Sequence, residues 1–423
     1  MDKSIKIINK CVEDLKDDIL SFIQLLVQTP SLANNEGDVQ EIIYEKLKDM
    51  ELNPEFIPVI FDNLKNHPAF CDDGFSPDKR KNVIGQWLGK GTGKSLILNG
   101  HVDVVPTGSE SLWDNSPWSG KIKDGKLYGR GSCDMKAGLA SGIFAIFVLQ
   151  KLGFIPNSTI MVQSVVGEES GGCGTLANIV KGYHADAAMI LEPTSLKICP
   201  IQSGALTFRL TIYGKATHAA MRWEGISAIE KYSLIHKSII DFEKERHSSF
   251  DIKYYQSKDK VAPINIGTLK GGEWHSTVPE SVVAEGRLGV FPGESIASAR
   301  KSFNDLINKV SISDPWLKNN PPKVEWFEGQ FESGETDIND SLINELKKTY
   351  SETTNKDPIL EGVTYGSDLR LFTNHANIPS VLFGPGDVKI AHAANENVKI
   401  EEVLKSVKTI ANMITRWCGG SFG

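Results

Sequence analysis

Residues 95–106 read SLILNGHVDVVP. Ser95 to Val105 is largely apolar and rich in Leu, Ile and Val, the composition of a strand buried on both faces of a sheet. His101 and Asp103 interrupt that pattern. One residue separates them, and strand side chains alternate, so both fall on one face. A carboxylate beside an imidazole fixes its tautomer and raises its basicity, as a metal-bound histidine requires. A histidine satisfied by hydrogen bonds at a strand end is the plain alternative for this tripeptide alone.

Outward from this stretch, the 423-residue chain is long enough for two or three domains, each with its own core. Net charge is −7, and no long Lys/Arg block appears, which argues against nucleic acid or an anionic membrane as partner. The first twenty residues, MDKSIKIINKCVEDLKDDIL, lack a signal-peptide apolar core, and no run of 18 apolar residues occurs. A cytoplasmic protein is expected. The six cysteines are scattered without a C-x-x-C pair and read as reduced thiols.

Apolar spacing predicts a helix over 4–28 and another over 38–50, and residues 62–81 read as a long polar loop. Long ordered loops are more often functional than idle. Asn82–Leu88 is a strand. GKGTGKS at 89–95 resembles a phosphate loop but has Leu88 where the first glycine belongs and leads into a strand, so a hairpin turn is expected. Met135–Leu152 reads as a buried helix, and 159–166 and 185–191 as apolar strands. Together these predict a three-layer α/β/α domain. After Cys199 the pattern changes to alternating strands and two helices, an α+β block of four strands and two helices. The first style resumes later, with helices at 340–350 and 401–418 and a strand at 380–384. The expected organisation is a catalytic domain of residues 1–199 and 333–423, interrupted by an inserted domain of residues 200–332.

Acids and a further histidine stand where strands and turns deliver them. Asp134 precedes the buried helix in GRGSCDMKAG, Glu168 and Glu169 follow a strand in VVGEESGG, Glu192 ends another in ILEPT, and His392 lies in GDVKIAHAANE. In open α/β sheets, sites are built at the carboxyl ends of strands. Taken singly, each has a dull explanation: a helix cap, a solvated pair, a turn residue, a surface histidine. Taken together they match the inventory of a two-metal hydrolase: histidine and carboxylate ligands, one carboxylate shared between ions, and one acid left free as a base.

At these residues the sequence resembles the M20 metallopeptidase family, in its acetylornithine deacetylase/succinyl-diaminopimelate desuccinylase branch. The motifs are GHVDVVP at 100–106, the run from Trp113 to Gly138, GEESGG at 167–172, LEPT at 191–194 and AH at 391–392. The resemblance implies that His101, Asp134 and Glu192 hold one metal and that Asp134, Glu169 and His392 hold the other. It implies Zn²⁺ as the ions, with Co²⁺ or Mn²⁺ as alternatives. Asp103 would orient His101, and Glu168 would be the general base. The inserted block would be a lid and dimerisation domain, making a homodimer. Its His218, in GKATHAA, would reach the partner subunit's site to stabilise the oxyanion. Arg287 would bind a substrate carboxylate, and Asn265 and Gly384 would line the pocket. The implied reaction is hydrolysis of a small N-acyl amine, with a dipeptidase or carboxypeptidase, and an N-formyl aminopyrimidine deformylase, as alternatives. From a different class, a catalytically silent binding module would have lost Glu168 or a ligand, and none is lost. Residues 392–396 read HAANE where many relatives have HTPDE, a departure that keeps the ligand and changes the turn.

Overall fold

Amphipathic spacing builds the first elements. Helix α1 (Lys3–Asp14) buries Ile5, Ile8 and Val12, and α2 (Lys16–Gln28) buries Ile19, Phe22, Ile23 and Leu26 on the same helical rhythm. The one helix expected over 4–28 is divided at Leu15, where φ −96° and ψ 9° leave the helical region. Asp17 and Asp18 then occupy the first turn of α2, where free N–H groups favour acids. The computed structural model describes residues 3–250 and 253–423. Helix α3 (Gly37–Asp49) leads to β1 (Glu55–Pro58), a single turn α4 (Phe61–Leu64) and β2 (Lys81–Trp87). Strand β3 (Leu96–His101) is buried at every position. The small hairpin β4 (Lys121–Lys123) and β5 (Lys126–Tyr128) precedes α5 (Ala137–Lys151), whose apolar residues face inward all round. The stretch 132–151 is long and apolar enough to cross a membrane, but 89% of its most apolar window is buried in the fold, as a core helix is. Then come β6 (Phe154–Pro156), β7 (Ile160–Val165), α6 (Cys173–Lys181), β8 (Ala188–Ile190) and β9 (Ile198–Gln202).

The next block alternates. Strand β10 (Gly204–Tyr213) buries Leu206, Phe208, Leu210 and Ile212, one face of a half-covered sheet. Helix α7 (Ala228–Ser249), β11 (Ile264–Gly271), β12 (Ser281–Val290), α8 (Ile296–Ser313) and β13 (Lys323–Phe331) complete a four-stranded antiparallel sheet, order β11-β12-β10-β13, with two helices. Its core joins those β10 residues to Tyr232, Ile235 and Phe303 from the helices. The chain continues through β14 (Gly334–Glu335), α9 (Ser341–Thr354), β15 (Leu360–Val363), β16 (Ser380–Leu382), β17 (Asn397–Lys399), α10 (Ile400–Trp417) and β18 (Gly420–Phe422).

Two compact units result. One comprises the chain up to Pro200 with Glu335–Glu361 and Ser367–Gly423; the other comprises Ile201–Gly334 with Gly362–Gly366. The short return over 362–366 was absent from the sequence expectation. It belongs with the second unit because Gly362 packs on the Tyr255 ring and Gly366 on Phe331, approaches that a Cβ would obstruct.

In the first unit the main sheet runs β1-β2-β7-β3-β8-β16. Strands β7, β3, β8 and β16 are mutually parallel, with His101 opposite Val165 and Ile97 opposite Ala188. The turn at 89–95 is therefore not a hairpin: β7 lies between β2 and β3, antiparallel to the first and parallel to the second. Its glycines serve close approach instead, Gly89 and Gly93 lying against the backbone of Ser158 and Cys418. Three adjacent parallel strands thus end side by side, and the residues that follow them open one region of the unit.

Candidate metal centre

Each of those strand ends delivers side chains inward. His101 is the last residue of β3 and is 1% exposed. Glu168 and Glu169 lie in the turn after β7, and Glu192 lies two residues beyond β8. Asp134 comes from the irregular segment before α5. Its φ of −119° and ψ of 98° are extended, and α5 begins only at Ala137. The helix start expected at Met135 is displaced accordingly, and Asp134 is no helix cap. His392 comes from the loop before β17, with φ +60°.

These six side chains meet. Asp134 uses its two oxygens separately: Oδ1 is 3.1 Å from His101 Nε2 and Oδ2 is 3.4 Å from His392 Nε2. Glu169 Oε1 is 3.1 Å from His392 Nε2. Glu168 and Glu192 approach His101 Nε2 at 3.9 Å and 4.0 Å. Ligand atoms of His101, Asp134 and Glu169, and separately of His101, Glu168 and Glu192, lie within 4.8 Å of one another. All are buried or nearly so except His392, which is 52% exposed.

Asp103 meets His101 through its backbone carbonyl, with its carboxylate farther off. His101 Nδ1 donates to the backbone carbonyl of Asp103 at 2.8 Å, while the carboxylate stands 3.7 Å away. The backbone contact still fixes the tautomer, leaving Nε2 free for a ligand. The Asp103 carboxylate accepts instead from the backbone N–H groups of Glu168 (3.3 Å) and Glu169 (3.0 Å), so it ties the end of β3 to the acidic turn.

The electrostatics describe a site short of positive charge. Burial first, then the charge of Glu192, raises Glu168 well above the ordinary carboxylate range. Burial and the charge of Asp134 raise Glu192 and Glu169 likewise. Burial would raise Asp134 too, but hydrogen bonds from His101 and His392 outweigh it and hold it low. Hydrogen bonds to Asp134 and Glu169 push His392 up to about 10, and His101 is raised against the opposing effect of burial by Asp134 and Asp103. Among the described residues, no lysine or arginine pairs with Asp134, Glu168, Glu169 or Glu192, and Glu168 Oε1 is buried without a partner. Four carboxylates and two imidazoles with no fixed cation form a donor set that divalent ions complete, displacing the protons.

Four further candidates remain, Gly384 in the first unit and His218, Asn265 and Arg287 in the second. Gly384 packs on the carbonyls of Leu191 and Glu192, where no side chain fits, and its N–H donates to Thr194 Oγ1 at 3.2 Å. In the second unit Asn265 and Arg287 are direct cross-strand partners on β11 and β12, so their side chains share a face. Arg287 Nη2 donates to the Thr364 carbonyl at 2.9 Å. His218 is exposed, and its Nδ1 accepts from Ala220 N at 3.1 Å.

Sequence reasoning missed two supports. Glu396, fully buried, accepts from the N–H groups of Cys133 (2.9 Å) and Asp134 (3.1 Å) and pairs with Arg130 Nη1 at 2.5 Å. It joins the His392 loop to the Asp134 segment, and its charge in a small-residue loop was the available signal. Asp368, also fully buried, accepts from Thr175 Oγ1 at 2.6 Å, and its other oxygen has no partner.

Residues 97–416 match the model of peptidase family M20/M25/M40. The chain belongs to this family. An N-formyl-4-amino-5-aminomethyl-2-methylpyrimidine deformylase from Bacillus subtilis is 30% identical, the match covering 99% of each chain. A Staphylococcus aureus protein described as "Probable succinyl-diaminopimelate desuccinylase" is 28% identical over 91% of this chain and 94% of its own. Among solved structures, the di-peptidase Dug1p from Saccharomyces cerevisiae superposes with a TM-score of 0.77 at 17% identity, covering 99% of both chains. As an M20 protein the chain is a metal-dependent hydrolase of amide bonds in small compounds.

Proposed function

We propose that this M20 hydrolase works with two divalent cations, one held by His101, Asp134 and Glu192 and the other by Asp134, Glu169 and His392. The observation that carries the reading is the division of Asp134, one oxygen toward each histidine, as a carboxylate shared by two ions requires. Mixed imidazole and carboxylate donors suit Zn²⁺, with Co²⁺ or Mn²⁺ as alternatives. When bound, such ions lower the pKa of a water nucleophile and polarise the acyl oxygen.

The chain's own residues do the rest. Glu168, with its unpartnered buried Oε1, takes the proton of the attacking water and returns it to the leaving nitrogen. His218 has Nδ1 committed as an acceptor, so its proton sits on Nε2, from which it donates to the acyl oxygen as negative charge develops. That donation comes across a homodimer. The exposed edge strand β11, with Leu269 53% exposed, and Trp274 in the loop after it, 64% exposed, support the second unit as the place where two copies join. Six free cysteines fit a cytoplasmic setting.

For the substrate, an N-formylated aminopyrimidine comes first, since a relative named for that activity aligns along nearly the whole chain. A second reading, an N-acyl compound bearing a carboxylate, is favoured by Arg287. Burial lowers the pKa of its guanidinium, and among the described residues no acid pairs with it. The test is a panel of N-formyl aminopyrimidine, N-succinyl and N-acetyl amino acids and dipeptides on metal-reconstituted enzyme. In Glu168→Gln, kcat on the best substrate is expected to fall about 10²–10⁴-fold with metal content intact. Wild-type turnover in that variant removes Glu168 from the role.

A further inference from the structure

The polar stretch 62–81 reads as a functional loop, yet the reaction above makes no use of it. Its buried end brings two charged groups, Asp73 and Arg80, against a third, Glu36, at the start of α3. Arg80 has a fully buried side chain, with Nη1 2.5 Å from Asp73 Oδ2 and Nη2 3.2 Å from Glu36 Oε1, both carboxylates at most 2% exposed. Burying a guanidinium costs several kcal/mol unless it is fully paired, so a purely structural loop has little reason to carry one.

These groups lie against the turn that bears the base. The same Asp73 Oδ2 accepts from Ser170 Oγ at 2.8 Å. Arg80 Nη2 occupies the space a Cβ at Gly167 would need, and Cys71 of the same loop backs Gly171. Gly167 has φ +69°, and Gly172 N–H closes on its carbonyl at 2.7 Å, so the turn is tightly wound. On another side the Asp103 carboxylate holds the Glu168 and Glu169 amides. The turn is thus gripped through its backbone by Asp103 and through its Ser170 side chain by Asp73.

We propose that Asp73, oriented by Arg80, is a positioning residue that sets the direction of Glu168 through Ser170, and that the 62–81 segment serves to bring it there. This rests on Glu168 being the base. Catalysis is sensitive to such placement because an error of about 1 Å can cost 10²-fold in rate.

The test uses Ser170→Ala, Ser170→Thr, Asp73→Asn and the pair Asp73→Asn/Ser170→Ala in the full-length, metal-loaded enzyme. Ser170→Ala is expected to lower kcat about tenfold with KM within twofold and metal stoichiometry unchanged. Ser170→Thr, which keeps the hydroxyl, restores most of that loss. The double variant is no slower than Asp73→Asn alone, because Ser170→Ala removes a contact that Asp73→Asn has already weakened. Wild-type kcat in Ser170→Ala, a loss confined to KM, a loss matched by lost metal, or effects that multiply in the double variant each overturn the proposal. Glu168→Gln in parallel keeps the two readings apart. If it is dead while Ser170→Ala is unimpaired, the strap fails alone; if it is active, the base assignment itself has failed.

Discussion

Gly138 offers a sharp test of how the centre is held. It lies near the start of α5, and a Cβ built there would stand 1.8 Å from the Leu191 carbonyl oxygen, beside Glu192. Real Cβ contacts stay beyond 3.0 Å, so Gly138→Ala must part helix and strand end by about 1.2 Å. Two effects compete. Alanine improves helix propensity by up to ~1 kcal/mol, while overpacking a tight contact costs ~1–3 kcal/mol, and here the obstacle is backbone that cannot swing aside. The clash wins, and the net loss in unfolding free energy, read by urea titration, is expected at up to ~2 kcal/mol. The larger effect falls on function, since the displaced carbonyl neighbours Glu192, and kcat is expected to drop on the order of 10²-fold. Gly142→Ala is the control: its Cβ clashes with the Leu191 Cδ1 methyl at 2.6 Å, the end of a flexible side chain, and meets Leu98 at an ordinary 3.6 Å, so turnover stays within about threefold. Gly138→Ala enzyme with the stability and turnover of the parent would refute the reasoning.

Further outcomes are expected. Glu396→Ala strips two amides of their acceptor and leaves Arg130 without its carboxylate, and loses about 3–5 kcal/mol by denaturant titration; Glu396→Gln, which keeps an acceptor, loses less, and equal losses argue against the amide contacts. Removing metal with a chelator is expected to abolish turnover and lower the thermal midpoint, both recovering with Zn²⁺ in a concentration-dependent way; an unchanged midpoint argues that no ion is held by the folded chain. Burial, then the charge of Asp103, pushes the Glu36 carboxyl up to about 7 despite Arg80. A group that binds its proton more tightly when folded adds stability at low pH, lost as pH rises through the folded value, so Glu36→Gln should flatten the decline between about pH 4.5 and 7 by up to ~3 kcal/mol. An unaltered pH profile of the urea midpoint counts against it.

The centre was legible where chemistry interrupts a buried pattern. His101 and Asp103 stand out because an apolar strand has no use for them, and Asp134, Glu168, Glu169, Glu192 and His392 stand out at the ends of apolar runs. What periodicity does not encode is which strand lies beside which. The turn at 89–95 looked like a hairpin because β7, the strand that separates β2 from β3, comes some sixty residues later. The same limit hid the partners of the site. Asp103 was matched to its neighbour His101 because the two share a strand face, whereas its carboxylate holds amides 65 and 66 positions away. Glu396 and Asp73 act through contacts that only the assembled sheet creates.

Strand β16 sits beside β8 in parallel register, Ser380 opposite Ala188, and the loop that follows carries His392. Synthesis on the ribosome therefore delivers this half of the centre late. A polypeptide stalled before residue 380 presents β8 with one row of N–H and C=O groups unpaired, an invitation to aggregation, and lacks the imidazole that faces Asp134 and Glu169. Incomplete products thus expose a sheet edge and lack one histidine of the site.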